Sequence, residues 1–150
     1  MSANKNAIPQ DILKGWTVLA VDDTPASLEI ISDVLSYYGA VVKTAANGKQ
    51  GLLAAQKFKP NLIIADIAMP ELDGWGMIEA LQTDVHTRDI PVIALTAHAQ
   101  RGDRELAISK GFLNFLVKPL DPLNFMNQVL VLLEAVPTLG DDIRRKMQNK

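Results

Sequence analysis

The chain has 150 residues, 48% hydrophobic and 21% charged, values that are typical of one globular domain with an ordinary core. Its 15 basic and 17 acidic residues give a net charge of -2, so no overall positive field favours nucleic acid or an anionic membrane. The lack of cysteine excludes disulfides and thiolate metal sites, and no apolar stretch approaches the ~18 residues of a membrane-spanning helix. With its polar N-terminus, the chain is expected to be cytoplasmic, without membrane association.

Short apolar runs predict five β-strands, at residues 18–21, 41–45, 62–65, 92–95 and 112–117. Most runs are continuously apolar, which is typical of strands buried on both faces of a parallel sheet. Between them, apolar residues recur with helical spacing. The clearest stripes are Leu28, Ile31, Leu35; Met77, Ile78, Leu81; and Phe125, Val129, Leu133. Alternating β and α units of this length predict a three-layer α/β domain.

Local signals place the ends of the helices and of the domain. Asn47 and Gln50 have the spacing of a capping box, and Gly39 and Gly111 fall where helices should end. We predict a domain over residues 16–136, after an N-terminal arm of residues 1–15. Because Pro137 should close the last helix, residues 137–150 are predicted to be a polar, solvated C-terminal tail.

Polar side chains stand at the ends of four predicted strands. Asp22 and Asp23 follow the first strand, Asp66 ends the third, Thr96 the fourth and Lys118 the fifth. The carboxyl ends of parallel strands share one edge of the sheet, where open α/β sheets bind ligands. We therefore expect these residues to converge in one crevice.

Three converging carboxylates need a positive partner, because two unit charges about 4 Å apart repel by roughly 4 kcal/mol at an effective dielectric near 20. Oxygen ligands without His or Cys favour a hard cation such as Mg²⁺. Lys118 adds a fixed positive charge, and Thr96 adds a hydroxyl donor. A carboxylate nucleophile, a divalent cation, a lysine and a hydroxyl together indicate phosphoryl transfer.

Four motifs carry a resemblance to a known family: Val21-Asp22-Asp23; Asp66 followed by Met69-Pro70-Glu71-Leu72-Asp73-Gly74; Ala94-Leu95-Thr96-Ala97; and Val117-Lys118-Pro119. In this order and spacing they resemble the receiver domains of two-component response regulators, the CheY-like superfamily. The resemblance implies a flavodoxin-like, doubly wound (βα)5 fold with a five-stranded parallel sheet in the order 2-1-3-4-5.

The resemblance also implies roles for the site residues. Asp66 would accept a phosphoryl group from a phosphohistidine, giving an acyl phosphate. Asp23, Asp66 and the backbone carbonyl of Ala68 would bind Mg²⁺, and Asp22 would orient the ion through water. Lys118 would contact Asp66 and then the phosphoryl oxygens, and its bond to Pro119 is cis in similar proteins. Ala68 departs from the family pattern, in which this position is often polar, and this puts the lifetime of the acyl phosphate in question.

A switch is implied in the same way. Thr96 would move toward the phosphoryl oxygens, and Phe115 matches the aromatic residue that turns inward as space opens. The surface formed by residues 100–110, the last strand and the last helix would then change its affinity for partners.

The expected partners are a sensor histidine kinase or histidine phosphotransfer protein, and a downstream protein target. The chain would be a monomer or weak dimer, and without a following helix-turn-helix it is not expected to bind DNA directly. It would catalyse only its own phosphorylation and dephosphorylation. Two alternatives stay open: a docking module of the same fold that is never phosphorylated, and an aspartyl-nucleophile phosphatase. The latter lacks an acid at Ala68, where such enzymes carry a second Asp.

Overall fold

The structure, a computed structural model, describes residues 7–68, 72–97 and 102–148. Five parallel strands form one sheet: β1 Thr17–Val21, β2 Val41–Ala45, β3 Leu62–Asp66, β4 Val92–Thr96 and β5 Asn114–Val117. Their order is β2-β1-β3-β4-β5, so β2 and β5 are the edge strands. The flavodoxin-like fold class and the strand order expected from the sequence are confirmed.

Helices alternate with the strands: α1 Pro25–Tyr37, α2 Gly48–Phe58, α3 Gly74–Thr83, α4 Asp103–Ser109, α5 Phe125–Leu133 and α6 Pro137–Gln148. At the start of α2, Asn47 Oδ1 accepts a hydrogen bond from the Gln50 N–H at 2.8 Å, and Gln50 Oε1 accepts one from the Ala46 N–H at 3.1 Å. The first bond is the N-cap contact of the predicted capping box, whereas the second comes from the residue before the N-cap rather than from the Asn47 N–H. Gly39 and Gly111 have φ values of 102° and 111°, as the reversals after α1 and α4 require. None of the helices in the described ranges is long and apolar enough to cross a bilayer.

The sheet separates two apolar layers because alternate residues of each strand face opposite sides. Val18 and Ala20 of β1 pack with α1 and α5, whereas Leu19 and Val21 pack with the layer of α2, α3 and α4. Burial on both faces explains why the strand sequences are continuously apolar. The carboxyl ends of the parallel strands lie along one edge of this buried sheet, where the loops that follow the strands begin.

The structure corrects the prediction of a solvated C-terminal tail. Residues 137–148 form α6, in which Leu139 and Ile143 are buried in the layer that also contains Ile12 and Leu13 of the N-terminal arm. Pro137 begins this helix rather than ending the previous one, because the first residue of a helix needs no N–H donor. Leu139 and Ile143 are four residues apart, the spacing of one helix face.

Candidate functional site

The carboxyl edge of the sheet brings together three charged side chains that lie at or just after the ends of β1, β3 and β5. Lys118 Nζ lies 2.8 Å from Asp22 Oδ2 and 2.9 Å from Asp66 Oδ2. Asp22 is fully buried and Asp66 is 5% exposed, so both carboxylates have been largely removed from water. One ammonium group thus bridges two buried acids. Asp22 and Asp66 are 44 positions apart in the sequence, and the parallel arrangement of β1 and β3 brings them together.

Backbone groups fix the orientation of each acid. Asp22 Oδ1 accepts a hydrogen bond from the Thr24 N–H at 2.8 Å, and Asp66 Oδ1 accepts one from the Ala68 N–H at 3.1 Å. The Lys118 N–H donates to the Thr96 carbonyl at 2.8 Å, and the Lys118–Pro119 bond is cis, as the resemblance implied. A local bond therefore holds each aspartate within its own loop, and a bond to the end of β4 holds the backbone of Lys118.

Gly74 allows α3 to begin directly against the end of β3. Its N–H donates to the Ile67 carbonyl at 2.8 Å. A Cβ at this position would lie 2.6 Å from Ile67 Cα and 2.7 Å from the Asp66 carbonyl oxygen, both backbone atoms that cannot easily move. Gly74 is thus a positioning residue for the Asp66 loop. The sequence showed it only as part of a motif.

Charge in the crevice is unevenly balanced. Burial raises the pKa of Asp66, and the nearby Asp22 carboxylate adds to that effect, although Lys118 opposes both. Burial alone would lower the pKa of Lys118, but its hydrogen bonds and ion pairs with Asp22 and Asp66 outweigh burial and raise it. The lysine is therefore held charged, while two buried carboxylates compete for it.

The carboxylates of Asp22, Asp23 and Asp66 form a group that fits a metal ion. Each offers an oxygen, and these oxygens lie within 4.8 Å of one another. Asp22 Oδ2 is buried without a hydrogen bond of good geometry, its contact being the ion pair with Lys118, whereas Asp23 is exposed and open to an incoming ion. A donor set of oxygens alone, beside open solvent, suits Mg²⁺, which retains several waters.

A cleft of about 390 Å³ opens above Asp66. Its lining includes the predicted site residues Asp23, Asp66, Ala68, Thr96 and Lys118. Thr96, at the end of β4, is half-buried on the wall of this cleft. The structure therefore places these residues around one space that is large enough for a phosphoryl group and an ion, whereas the fully buried Asp22 is not part of the lining.

Phe115 lies behind Thr96 rather than in the cleft. Its ring is 6% exposed, and the Arg104 guanidinium covers it at 4.6 Å from the ring centroid. Arg104 also donates a hydrogen bond to Asn114 Oδ1. Thr96 and Phe115 border a second cavity of about 240 Å³, which Trp75 and Ala107 also line. Arg104 was missed in the sequence because no local pattern links a residue of α4 to a ring of β5.

Some of the predicted residues cannot be placed. Met69, Pro70 and Glu71 of the second motif lie outside the described residues, as do residues 100 and 101 of the expected signalling surface at 100–110.

An α/β sheet of this strand order, with three acids and a lysine at its carboxyl edge, defines a receiver-type signalling domain. The family model described as response regulator receiver domain matches residues 18–130, and the chain belongs to this family. Receiver domains are signalling phosphoacceptors that bind Mg²⁺ at a cluster of aspartates and interact with histidine kinases or phosphotransfer proteins.

Relatives and solved structures agree with the family. An uncharacterized 14.6 kDa protein from Leptolyngbya boryana is 37% identical over 120 residues, which are 80% of this chain and 92% of that protein. The chemotaxis response regulator CheY4 of Vibrio cholerae is 30% identical with a TM-score of 0.74, covering 79% of this chain and 98% of CheY4. The receiver domain of sensor histidine kinase PA1611 from Pseudomonas aeruginosa, solved with a magnesium ion in its active site cleft, is 30% identical with a TM-score of 0.69, covering 80% and 96%.

Other relatives are much longer than this chain. It spans 12% of the histidine kinase BarA of Shigella flexneri, to which it is 37% identical over 114 residues and 76% of its own length.

Proposed function

We propose that this chain is a phosphorylation-switched receiver that accepts a phosphoryl group on the carboxylate of Asp66. The observation that carries the proposal is the bridge of Lys118 to Asp22 and Asp66 at 2.8 and 2.9 Å, inside a group of three carboxylates. Such crowding of like charge, only partly offset, is typical of sites that bind a cation and an anionic substrate together.

The resident cofactor proposed for the site is Mg²⁺. Asp23, Asp66 and the Ala68 carbonyl would hold the ion, and Asp22 would orient it. When bound, the ion would neutralise charge on the transferred phosphoryl group. Family membership and the oxygen-only donor set of the acidic group support this assignment.

The chain's own residues account for the rest of the chemistry. An oxygen of Asp66 attacks the phosphorus of a phosphohistidine, the phosphorus–nitrogen bond breaks, and the imidazole nitrogen leaves on the donor and takes up a proton. Lys118 is positioned to follow the charge from the carboxylate to the phosphoryl oxygens. Ala68 puts no polar side chain beside Asp66, so water that attacks the acyl phosphate receives no help from this position.

The switch that we propose uses Thr96 and Phe115. Phosphoryl oxygens in the cleft would attract the Thr96 hydroxyl, and Phe115 would turn into the space that Thr96 leaves. Both residues border the same cavity of about 240 Å³, which gives the ring room to move. Arg104, which stacks on Phe115, would link this movement to α4 and to the surface of β5 and α5.

The proposed partners are a histidine kinase or phosphotransfer protein as donor and a protein target as receiver of the signal. Relatives whose names describe histidine kinases support the first of these. The chain would act in the cytoplasm, as a monomer or weak dimer, without direct DNA binding and without turnover of small phosphate esters.

Incubation with acetyl phosphate and Mg²⁺, followed by intact mass measurement, tests the proposal. We expect one phosphate adduct on the wild-type chain, none on Asp66→Asn, and no adduct after removal of Mg²⁺ with EDTA. Asp84→Asn is the matched control, because Asp84 lies at the end of α3 and outside the described site. It should be phosphorylated like the wild type.

This experiment, together with an assay of phosphate release from small esters, separates the alternatives. A wild-type chain without any adduct would indicate a docking module that is never phosphorylated, and it would contradict the proposal. Continuous release of phosphate from small esters, at a rate that depends on Asp66, would indicate a phosphatase instead.

A further inference from the structure

Charge is segregated on the two sides of the edge strand β2. Residues 15–33 contain four acidic residues and no Lys, Arg or His, whereas residues 34–65 contain four lysines and no acidic residue. The whole chain is nearly balanced, with 15 basic and 17 acidic residues, so this separation is a local feature. It places opposite charges on two neighbouring helices, α1 and α2.

On α1, Glu29, Asp33 and Tyr37 follow one another at a spacing of four residues and are all exposed. Residues at this spacing lie on the same face of a helix. The Tyr37 side chain is 59% exposed, which is unusual for a large aromatic residue. We name these three residues the acidic stripe.

On α2, Lys49, Leu53 and Lys57 have the same spacing and are also exposed. Leu53 is 60% exposed and lies between the two lysines. Next to them, Lys57 and Lys43 both approach the ring of Phe58, at 5.2 and 4.8 Å from its centroid. We name Lys49, Leu53 and Lys57 the basic stripe.

Among the described residues, the charged side chains of both stripes form no ion pair. Across residues 7–68, 72–97 and 102–148, the ion pairs involve Lys118 and α6, and none involves a residue of either stripe. Two ammonium groups that converge on one ring leave a local excess of positive charge, which an approaching carboxylate would relieve.

Each stripe is on the exposed side of its helix, opposite the residues that pack on the sheet. α1 and α2 pack on opposite faces of the sheet, and both contact β2, which is an edge strand. A two-fold axis running along β2 would place α1 of each copy beside α2 of the other, so that the same contact would form twice. Val41, at the start of β2, is 55% exposed.

We propose that the α1–β2–α2 surface is a self-association surface, on which the acidic stripe of one copy contacts the basic stripe of a second copy. A partner with one sign of charge fits less well. A membrane or nucleic acid would attract the basic stripe but be repelled by Glu29 and Asp33 of α1. A second copy presents both signs in a complementary arrangement.

Variants in which the charges of one stripe are reversed test this proposal. Sedimentation velocity of the unphosphorylated chain measures whether they dimerise. We expect the wild type to form a dimer of twice the 16.4 kDa chain mass. Salt should weaken the dimer, because the Debye length falls from about 30 Å at 0.01 M to about 3 Å at 1 M. Lys49→Glu with Lys57→Glu, and separately Glu29→Lys with Asp33→Lys, should each raise the dimer dissociation constant by roughly tenfold or more.

Mixing the two double variants gives the decisive result. Each carries two stripes of one sign, so neither pairs with itself, but the mixture pairs acidic with basic stripes on both sides and should restore dimers. Arg88→Glu with Lys110→Glu, and Glu79→Lys with Asp89→Lys, are controls of equal charge change at exposed positions elsewhere. Both controls should dimerise like the wild type.

Three outcomes would overturn the proposal: a wild type that stays monomeric at low salt, double variants that still dimerise, or a mixture that does not. Melting temperatures of the variants guard against unfolding, and Lys49→Gln with Lys57→Gln offers a milder change that should weaken dimers less than the reversal. The test is independent of Asp66, so its failure leaves the proposed phosphorylation untouched.

Discussion

Carboxylates near the two ends of β1 have pKa values that are shifted in opposite directions. At the carboxyl end, one lysine faces two buried carboxylates and a third nearby, and the pKa of Asp66 is raised by burial and by Asp22. At the amino end, burial opposes ionisation of Asp142, but Lys146, the Trp16 Nε1–H and Arg145 outweigh it and lower the pKa of that carboxyl.

At the amino end, hydrogen bonds and an ion pair join α6 to the N-terminal arm and to Trp16. Trp16 Nε1 donates to Asp142 Oδ2 at 2.7 Å, and Lys146 Nζ lies 2.8 Å from the same oxygen. Lys146 also donates to the carbonyls of Ile12 and Lys14, at 3.1 and 2.7 Å. We expect the contacts at the amino end to stabilise the fold. The function proposed for the carboxyl end requires negative charge that Lys118 does not fully neutralise, which lowers stability there.

Lys118→Ala changes only the carboxyl end of β1, and we expect it to have the largest effect on the unfolding free energy. It removes the cation from between Asp22 and Asp66, whose side chains are 0% and 7% exposed, and leaves two buried charges facing each other. We expect a loss of about 3 kcal/mol in unfolding free energy without metal, with partial recovery in Mg²⁺. Urea unfolding measures this, and Lys110→Ala, at an exposed lysine, should change stability by less than about 0.5 kcal/mol.

Gly74→Ala tests the carboxyl end alone, because it alters the loop that follows Asp66 and leaves the contacts of Asp142 unchanged. The new Cβ would meet backbone at 2.6 and 2.7 Å, so we expect a loss of about 2 kcal/mol and slower phosphorylation by acetyl phosphate. Gly76→Ala is the matched control in the same helical turn. Its Cβ would meet Leu72 Cδ1 at 2.5 Å, the end of a flexible side chain, and should cost less. Equal losses in the two variants would argue against a rigid Asp66 loop.

Asp142→Asn tests the amino end alone. The substitution removes the carboxylate charge that pairs with Lys146 and accepts a hydrogen bond from Trp16. We expect a loss of about 1 kcal/mol in unfolding free energy. The rate of phosphorylation should not change. The control is Asp141→Asn, because the Asp141 side chain is 73% exposed and its ion pair with Arg144 should contribute little. A slower phosphorylation of Asp142→Asn would show that the two ends are coupled.

The smallest expected effect is the pH dependence of the stability that Asp142 contributes through Lys146 and Trp16. Because the folded-state pKa of Asp142 is below the ordinary value of 3.8, its stabilisation is present above that value and is lost as the pH falls through the folded-state pKa. The difference between wild type and Asp142→Asn should therefore be constant near neutral pH and shrink below about pH 3.8. A difference that stays constant or grows as the pH is lowered below 3.8 would contradict the assigned ion pair.

The two ends also differ in how far the sequence predicts them. The carboxyl end could be predicted because Asp22, Asp66, Thr96 and Lys118 each follow an apolar strand, and parallel strands bring their ends to one edge. The resemblance added the expected contact of Lys118 with Asp66. The equal approach of Lys118 to Asp22 depends on side-chain packing, which strand positions do not determine.

The amino end could not be predicted because its contacts join residues far apart in the chain. Trp16 and Asp142 are separated by 126 positions, and no period or motif links them. Pro137 is compatible both with the end of α5 and with the start of another helix, and only the burial of Leu139 and Ile143 decides between them. Arg104 over Phe115 was missed for the same reason.

The central claim, that negative charge at the carboxyl end of β1 exceeds what Lys118 neutralises and draws in a cation, is tested most directly by unfolding with and without Mg²⁺. At about ten times its dissociation constant, the ion should stabilise the wild type by about 1.4 kcal/mol, and Asp142→Asn equally. Asp66→Asn should lose most of this gain. An equal gain in Asp66→Asn, or none in the wild type, would contradict the account.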